Sequence, residues 1–259
     1  MSGYYYERRY SSSSAAGGRP VTYAVQRIII ATTIAYAAQL IVAVPASGFG
    51  SPALTLEYWL GLNPGLVKFG AVWQLVTYMF VHGGVLHLLF NMLALWMFGT
   101  ELERRWGSRG FLKFYFVTGV GAGVLTILFS LLPFDFAAQL YNIPIIGASG
   151  AIYGLLLAYA LYFPDRPIYM YFVFPIPAKY FVIIMGALAF YSSVAEQSGI
   201  ANATHLGGLL VAYLYLKGGR VDPLAEIKYR YTRWKIMRMR SKFDVYSGGR
   251  SDDWNRRVH

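Results

Sequence analysis

Residues 75–98, LVTYMFVHGGVLHLLFNMLALWMF, run for 24 positions without an Asp, Glu, Lys or Arg. As a helix such a stretch is about 36 Å long, enough to cross a hydrocarbon layer of about 30 Å. Comparable apolar stretches lie at about 24–44, 111–132, 146–163 and 180–195, with a shorter one rich in small residues at about 204–217. Composition agrees: 56% of the residues are hydrophobic, 14% are charged and mean hydropathy is +0.43. A soluble domain carries about 25% charged residues. The expected fold class is therefore all-α, a polytopic membrane protein with a six-transmembrane-helix bundle.

The organisation follows from what lies between these stretches. Residues 1–20 form a polar, flexible tail with no signal-peptide apolar region. Its Arg and Ser content is that of a mitochondrial presequence, but Glu7 and the tyrosine cluster count against one. Residues 21–217 form the membrane domain, and 218–259 a basic tail. Within the domain, the loop at about 45–74 carries Tyr58, Trp59, Phe69 and Trp73, ring anchors suited to a membrane interface. A polar loop falls at 99–110, another at 133–144 with Asp135, and a turn with four prolines at 164–179. Six spans put the N-tail, the 99–110 loop, the 164–179 turn and the C-tail on one side. That side holds Arg8, Arg9, Arg19, Arg104, Arg105, Arg109, Arg166, Lys179 and the tail series, whereas the opposite loops hold Lys68 alone. Both termini are thus expected in the cytoplasm, with the protein in a bacterial inner (plasma) membrane. The tail segment EIKYRYTRWKIMRMRSKF reads as a solvated positive tail ahead of a helix lying on anionic lipid.

There are no cysteines, which removes disulfides, thiol nucleophiles and thiolate metal sites. The net charge of +11 would point to nucleic acid in a soluble protein; here it sets topology, and no nucleic-acid partner is expected. No cofactor and no metal are called for.

Polar groups inside spans are costly, about 2.5–3.5 kcal/mol for a charged one, and usually functional. His82, His87 and Asn91 fall in the second span, Ser149 opens the fourth and His205 opens the sixth. With the termini cytoplasmic, all five sit at similar depth in the outer leaflet. Asn91 lies one helical turn beyond His87, on the same face. Each has a bland reading: His82 as an interfacial ring, His87 and Asn91 as interhelical glue, His205 bonded to a carbonyl. The segment Gly147-Ala148-Ser149-Gly150 also reads as packing, since Gly150 and Gly154 make a small-xxx-small pair. It is not a soluble nucleophile elbow, because Gly147-Ala148-Ser149-Gly150-Ala151 lacks the final glycine. Together, however, these groups meet the needs of acyl transfer: a hydroxyl, an imidazole base and donors for an oxyanion. No Asp or Glu lies in any span core, so a Ser149–His205 dyad is expected, not a triad. Gly207-Gly208 would bring the sixth span close to the fourth.

These residues resemble the rhomboid family of intramembrane serine proteases over about 72–216. Gly147-Ala148-Ser149-Gly150 matches the family's Gly-x-Ser-Gly; His82, His87 and Asn91 match its His-x4-His-x3-Asn; His205 and Gly208 match its His-x-x-Gly. The ELERRWGS segment resembles the family's cytoplasmic loop, with Glu103 at the acidic position. The resemblance implies Ser149 as nucleophile and His205 as base. It implies an oxyanion hole of Asn91, His87 and the Ser149 amide, with Tyr153 stacked on the catalytic imidazole. Gly147, Gly150, Gly208 and His82 are supporting residues. Substrates would be single-span or polytopic membrane proteins in the lipid bilayer, cut near the outer face. Three departures stand out: Trp73-Gln74 where the family has Trp-Arg, Thr204 before the last-span histidine, and Ala212 for a glycine. The alternatives are a non-catalytic module that binds membrane clients, which would dispense with Ser149 or His205, and a proton-moving transporter. The transporter would call for intramembrane carboxylates and inverted repeats, and neither is seen.

Overall fold

The computed structural model of the chain describes residues 20–46, 55–133, 141, 143–170, 173–195 and 200–218. Most of the N-terminal tail, the loop around Asp135 and the basic C-terminal tail lie outside the described residues. The chain divides into two compact units between Tyr215 and Leu216, and the fold described is that of the first. It is mostly helical.

Helix α1 spans Tyr23–Ala46. Two short helices follow, α2 (Leu56–Leu60) and α3 (Pro64–Lys68). The Thr55 hydroxyl caps α2 by accepting from the Tyr58 amide, and Asn63 caps α3 by accepting from the Leu66 amide, with Pro64 just inside the start. The loop expected at 45–74 therefore has helical structure of its own.

The second apolar stretch is not one helix. It opens as α4 (Gln74–Thr77) and a 3₁₀ turn (Tyr78–Phe80), breaks at Val81–Gly84, and resumes as α5 (Val85–Ala94). The break frees backbone groups that a buried segment must satisfy. At His82 both are met by one side chain: the His82 N–H donates to Gln39 Oε1 at 2.9 Å, and Gln39 Nε2 donates to the His82 carbonyl at 3.1 Å.

After α5 a π-helical turn (Leu95–Gly99) leads directly into α6 (Thr100–Ser130). The polar segment 99–110, expected as a loop, is thus largely helical. Its direction changes at Gly107, where φ is +72°. Glu103, nearly fully buried, fastens this end to α1. Its carboxylate accepts from the Ala24 and Val25 amides at 2.9 and 3.0 Å, from Thr22 Oγ1 at 2.5 Å and from Ser108 Oγ at 2.6 Å. The first two are α1 donors that have no intrahelical acceptor. Glu101 joins Arg104 and Arg166 at 2.8 and 2.9 Å.

Helix α7 is Ser149–Tyr162. The Pro-rich turn that follows is a hairpin, β1 (Pro167–Met170) antiparallel to β2 (Phe174–Pro177), with Pro167 opposite Pro177. Helices α8 (Ala178–Ala195) and α9 (Ile200–Gly218) complete the described chain. The last helix starts earlier than the expected 204.

Tyr78, Leu102, Phe111, Phe114, Tyr115 and Leu155 are among the fully buried side chains. Around this core, α1, α5 and α8 expose Ile34, Ile41, Leu86, Phe90, Ile183 and Phe190, an apolar exterior suited to lipid. Tyr23–Val42 and the 46-residue run Val85–Ser130 are long and apolar enough to cross a membrane; Ser149–Tyr162 and Ala178–Ser192 are shorter apolar helices. The 46-residue run would measure about 69 Å if straight, more than two hydrocarbon thicknesses; Gly107 turns it.

Close approach between helices rests on glycines. A Cβ on Gly154 would stand 2.9 Å from Thr118 Cβ on α6, and one on Gly207 would stand 3.3 Å from the Ala122 Cα and carbonyl oxygen. A Cβ on Gly208 would overlap the Gly150 carbonyl. Gly208→Ala should therefore push α9 off α7 and destabilise the fold by about 1–3 kcal/mol, read as a lower unfolding temperature in detergent. Gly186→Ala is the matched control, because its Cβ would meet only Leu209 Cδ1 at 3.4 Å. Equal unfolding temperatures for the two variants would contradict this packing.

Candidate active site

The segment entering α7 is held in place before the helix begins. Leu62 and Ile145 exchange two backbone hydrogen bonds of 2.8 Å, and the Gly147 amide donates to the Tyr78 carbonyl at 2.9 Å. Gly147 has φ +114°, a conformation that glycine alone adopts cheaply. A Cβ there would also stand 2.8 Å from His87 Cε1 and Nε2. Both backbone and space thus require glycine. Ser149 follows as the first residue of α7. The amides of that first turn have no intrahelical acceptor and present a partial positive charge.

His205 Nε2 lies 2.8 Å from Ser149 Oγ. The Tyr153 ring, one turn after Ser149, stacks on the imidazole with centroids 4.3 Å apart and planes within 6°. His205 Nδ1 is buried and has no hydrogen-bond partner among the described residues. If the Ser149 hydroxyl donates to Nε2, the imidazole proton resides on Nδ1. The ring is then held by stacking and by its helix, with no carboxylate bonded to it among the described residues.

His87 and Asn91 are both on α5. The Gly83 amide donates to His87 Nδ1 at 3.3 Å. That assigns the ring proton to Nε2, the atom facing Gly147. Both His87 Nε2 and Ser149 Oγ lie within 4 Å of the point where a Gly147 Cβ would stand. Asn91 is buried and donates from Nδ2 to the His87 carbonyl at 2.8 Å; its amide keeps a second N–H. The His87 Nε2–H and the α7 first-turn amides thus lie beside the serine, and Asn91 sits one turn beyond His87 on the same helix.

His82 is placed differently from its expected position on the same helix. It lies in the break before α5, is 1% exposed, and meets the His87 ring edge-on at 5.0 Å. An interfacial ring among headgroups does not fit that burial. Its described contacts are with Gln39, Phe80 and His87, so it supports the His87 side of the site. Gly150 packs against Ala122 and Thr204, with a Cβ there 3.0 Å from each.

One supporting residue, Gln39, was missed in the sequence, and another, Gln74, was seen there only as a departure from the family pattern. Gln39 clasps His82 and donates to Glu57 Oε1 at 2.8 Å; a glutamine inside an apolar stretch was the available signal. Gln74, fully buried, donates to the Tyr58 and Trp59 carbonyls at 3.2 Å and accepts from the Asn63 amide at 2.9 Å. It fastens α2 and α3 to the start of α4 from the position where the family has arginine. Among the described residues no three His, Cys, Asp or Glu side chains come together to hold a metal.

Comparison with known proteins bears on this arrangement. The Rhomboid domain family model matches residues 70–219. The rhomboid protease GluP of Bacillus subtilis is 37% identical over 145 residues, 56% of this chain and 25% of that protein. The mitochondrial Rhomboid protein 1 of Saccharomyces cerevisiae is 32% identical over 139 residues, 52% of this chain and 38% of that protein. The rhomboid protease AarA of Providencia stuartii is 30% identical over 156 residues, 56% of this chain and 55% of that protein. The match spans between a quarter and just over half the length of these relatives. On this chain the family match takes in more than half of the residues, from the turn before α4 to the end of α9, and the chain belongs to the rhomboid family of integral membrane proteins.

Proposed function

We propose that this chain is an intramembrane serine endopeptidase that cuts transmembrane segments of other membrane proteins with a Ser149–His205 dyad. The observation that carries the reading is the 2.8 Å contact between Ser149 Oγ and His205 Nε2 at the start of α7, under the Tyr153 ring. Relatives named as proteases support it at the level of the family.

In this reading Ser149 Oγ attacks the scissile carbonyl carbon while its proton passes to His205 Nε2. Among the described residues the imidazolium has no carboxylate partner; the Tyr153 face stabilises it as a ring stabilises a cation. Negative charge on the carbonyl oxygen is met by the His87 Nε2–H, the Asn91 amide and the Ser149 N–H. The C–N bond breaks as His205 returns the proton to the leaving amine. Water then attacks the acyl carbon as His205 Nε2 takes its proton. The C–O bond to Ser149 breaks as His205 returns that proton to Oγ, releasing the carboxylic acid and the free serine. The departures from the family pattern leave every one of these groups in place, which disfavours a purely client-binding module.

Six membrane spans between residues 21 and 217, with both termini cytoplasmic, place the dyad toward the outer face of a bacterial inner membrane. A substrate helix hides its carbonyls in intrahelical bonds and must unwind to reach Ser149. Gly and Pro lower the cost of unwinding by roughly 1 and 3 kcal/mol per residue relative to Ala.

Ser149→Ala and His205→Ala are each expected to remove cleavage of a transmembrane model substrate, by about four orders of magnitude or more, because the two act as one unit. Both proteins should stay folded. Asn91→Ala should keep measurable activity, reduced about 10²–10³-fold. Near-wild-type cleavage by purified Ser149→Ala would end the protease reading.

The position of the cut is tested with single-span substrates whose helix breaker is kept, removed, or moved to the cytoplasmic half. Cleavage is expected in or just outside the external half, after a small residue, and only with the breaker a few positions downstream. Equal cleavage of all three substrates, or product masses mapping to the cytoplasmic half, would contradict the reading.

A further inference from the structure

The Ser149–His205 geometry depends on where α9 lies, because His205 Nδ1 has no partner among the described residues. Gly207 and Gly208 set how near α9 comes to α6 and α7. A glycine on a backbone surface fixes distance, yet it resists sliding and rotation weakly. Something else must set the register of α9.

We propose that Thr204 is a positioning residue for His205, acting through an ordered hydroxyl chain that runs from Thr204 to Thr126 to the Ala122 carbonyl. Thr126 Oγ1 lies 2.8 Å from the Ala122 carbonyl oxygen and 2.9 Å from Thr204 Oγ1. Both threonines are buried, at 1% and 2% exposure. A carbonyl only accepts, and each hydroxyl has a single proton. The Thr126 proton is therefore committed to Ala122, and Thr204 is the donor to Thr126. The chain has one direction and both ends are satisfied.

The same residue holds α7. A Cβ on Gly150 would stand 3.0 Å from Thr204 Cγ2, so the Thr204 methyl fills the space beside the residue that follows Ser149. Thr204 thus fixes α9 against α6 through its hydroxyl and against α7 through its methyl. Neighbouring helix residues are about 100° apart around the axis. With Thr204 locked between α6 and α7, His205 is turned toward Ser149 and Tyr153. Ala122 takes part twice, since its carbonyl ends the hydroxyl chain and its backbone is the surface on which Gly207 rests.

The proposal rests on the dyad reading above, and the experiment separates the two. The purified full-length chain in detergent is assayed on a transmembrane model substrate as wild type, Thr204→Val, Thr204→Ser, Thr126→Val, the double Val variant and Ser149→Ala. A fluorophosphonate probe counts competent serines, and thermal unfolding is followed alongside. Thr204→Val is expected to lower kcat per labelled site by about 10–100-fold, with KM within about two-fold of wild type, as for a small misplacement of a reacting group. Thr204→Ser keeps the hydroxyl and should recover most of that loss. The double variant should be no slower than the slower single variant. A merely structural role would lower the folded fraction and unfolding temperature and leave kcat per labelled site unchanged. Wild-type kcat in Thr204→Val, or Ser as impaired as Val, would overturn the proposal. Undiminished cleavage or labelling in Ser149→Ala would instead overturn the dyad reading, whatever the threonine variants do.

Discussion

Gly208 rests directly on the backbone of Gly150, with no room for even one methyl group between the two helices. That contact brings the start of α9 within reach of the start of α7, and so brings an imidazole to a hydroxyl. In a membrane, apolar side chains gain little by leaving lipid for one another. Association comes from close packing and from hydrogen bonds that lipid cannot supply. The small residues clustered at the α6–α7–α9 junction, Gly119, Gly150, Gly154, Gly207 and Gly208, are the means to the first. The buried Thr126–Thr204 pair provides the second, joining α6 to α9 through its hydroxyls, whereas Thr118 bonds carbonyls within α6 itself.

A second demand comes from broken helices. Between Thr77 and Val85 the chain leaves regular α-helix, and the described residues between α1 and α4 hold the short helices α2 and α3. Backbone groups released there would be costly at membrane depth unless protein satisfies them. Two neutral amides do much of this: Gln39 at His82, and Gln74 at Tyr58, Trp59 and Asn63. An amide both donates and accepts, so one side chain can close a backbone N–H and a backbone carbonyl at once. At the other end, Glu103 performs the matching task for the first turn of α1. The segment before Ser149 is tied to this framework by the Gly147 amide on the Tyr78 carbonyl and by the Leu62–Ile145 pair.

How much of this could be read in advance depended on the range of the interaction. The Gly147–Gly150 segment, the spacing of His87 and Asn91, and the paired glycines after His205 are local patterns, and they pointed to one site. The break at Val81–Gly84 is not local. Two glycines lie in it, but Gln39, 43 positions away, stabilises it. Residues 99–110 were expected as a loop because they are polar. They continue a helix because Glu, Leu and Arg are good helix formers and because Glu103 has α1 to bond to. The prolines at 164–179 suggested a turn. Two of them, Pro167 and Pro177, face each other at the open end of a two-stranded hairpin whose strands are both edges, so a missing N–H costs little there; Pro175 lies within β2 and Pro164 precedes β1. Thr204 read as a departure from a small-residue pattern; only its partner on α6 reveals the hydroxyl chain.

The central claim is that one hydroxyl among many in this chain is a nucleophile, made so by a single imidazole. It is tested most directly by reacting the purified protein with a fluorophosphonate and mapping the modified peptide by mass spectrometry. The account predicts a single adduct on Ser149 that is lost in His205→Ala, even though the serine remains. Labelling that falls on other serines, or that persists at Ser149 without His205, would contradict it.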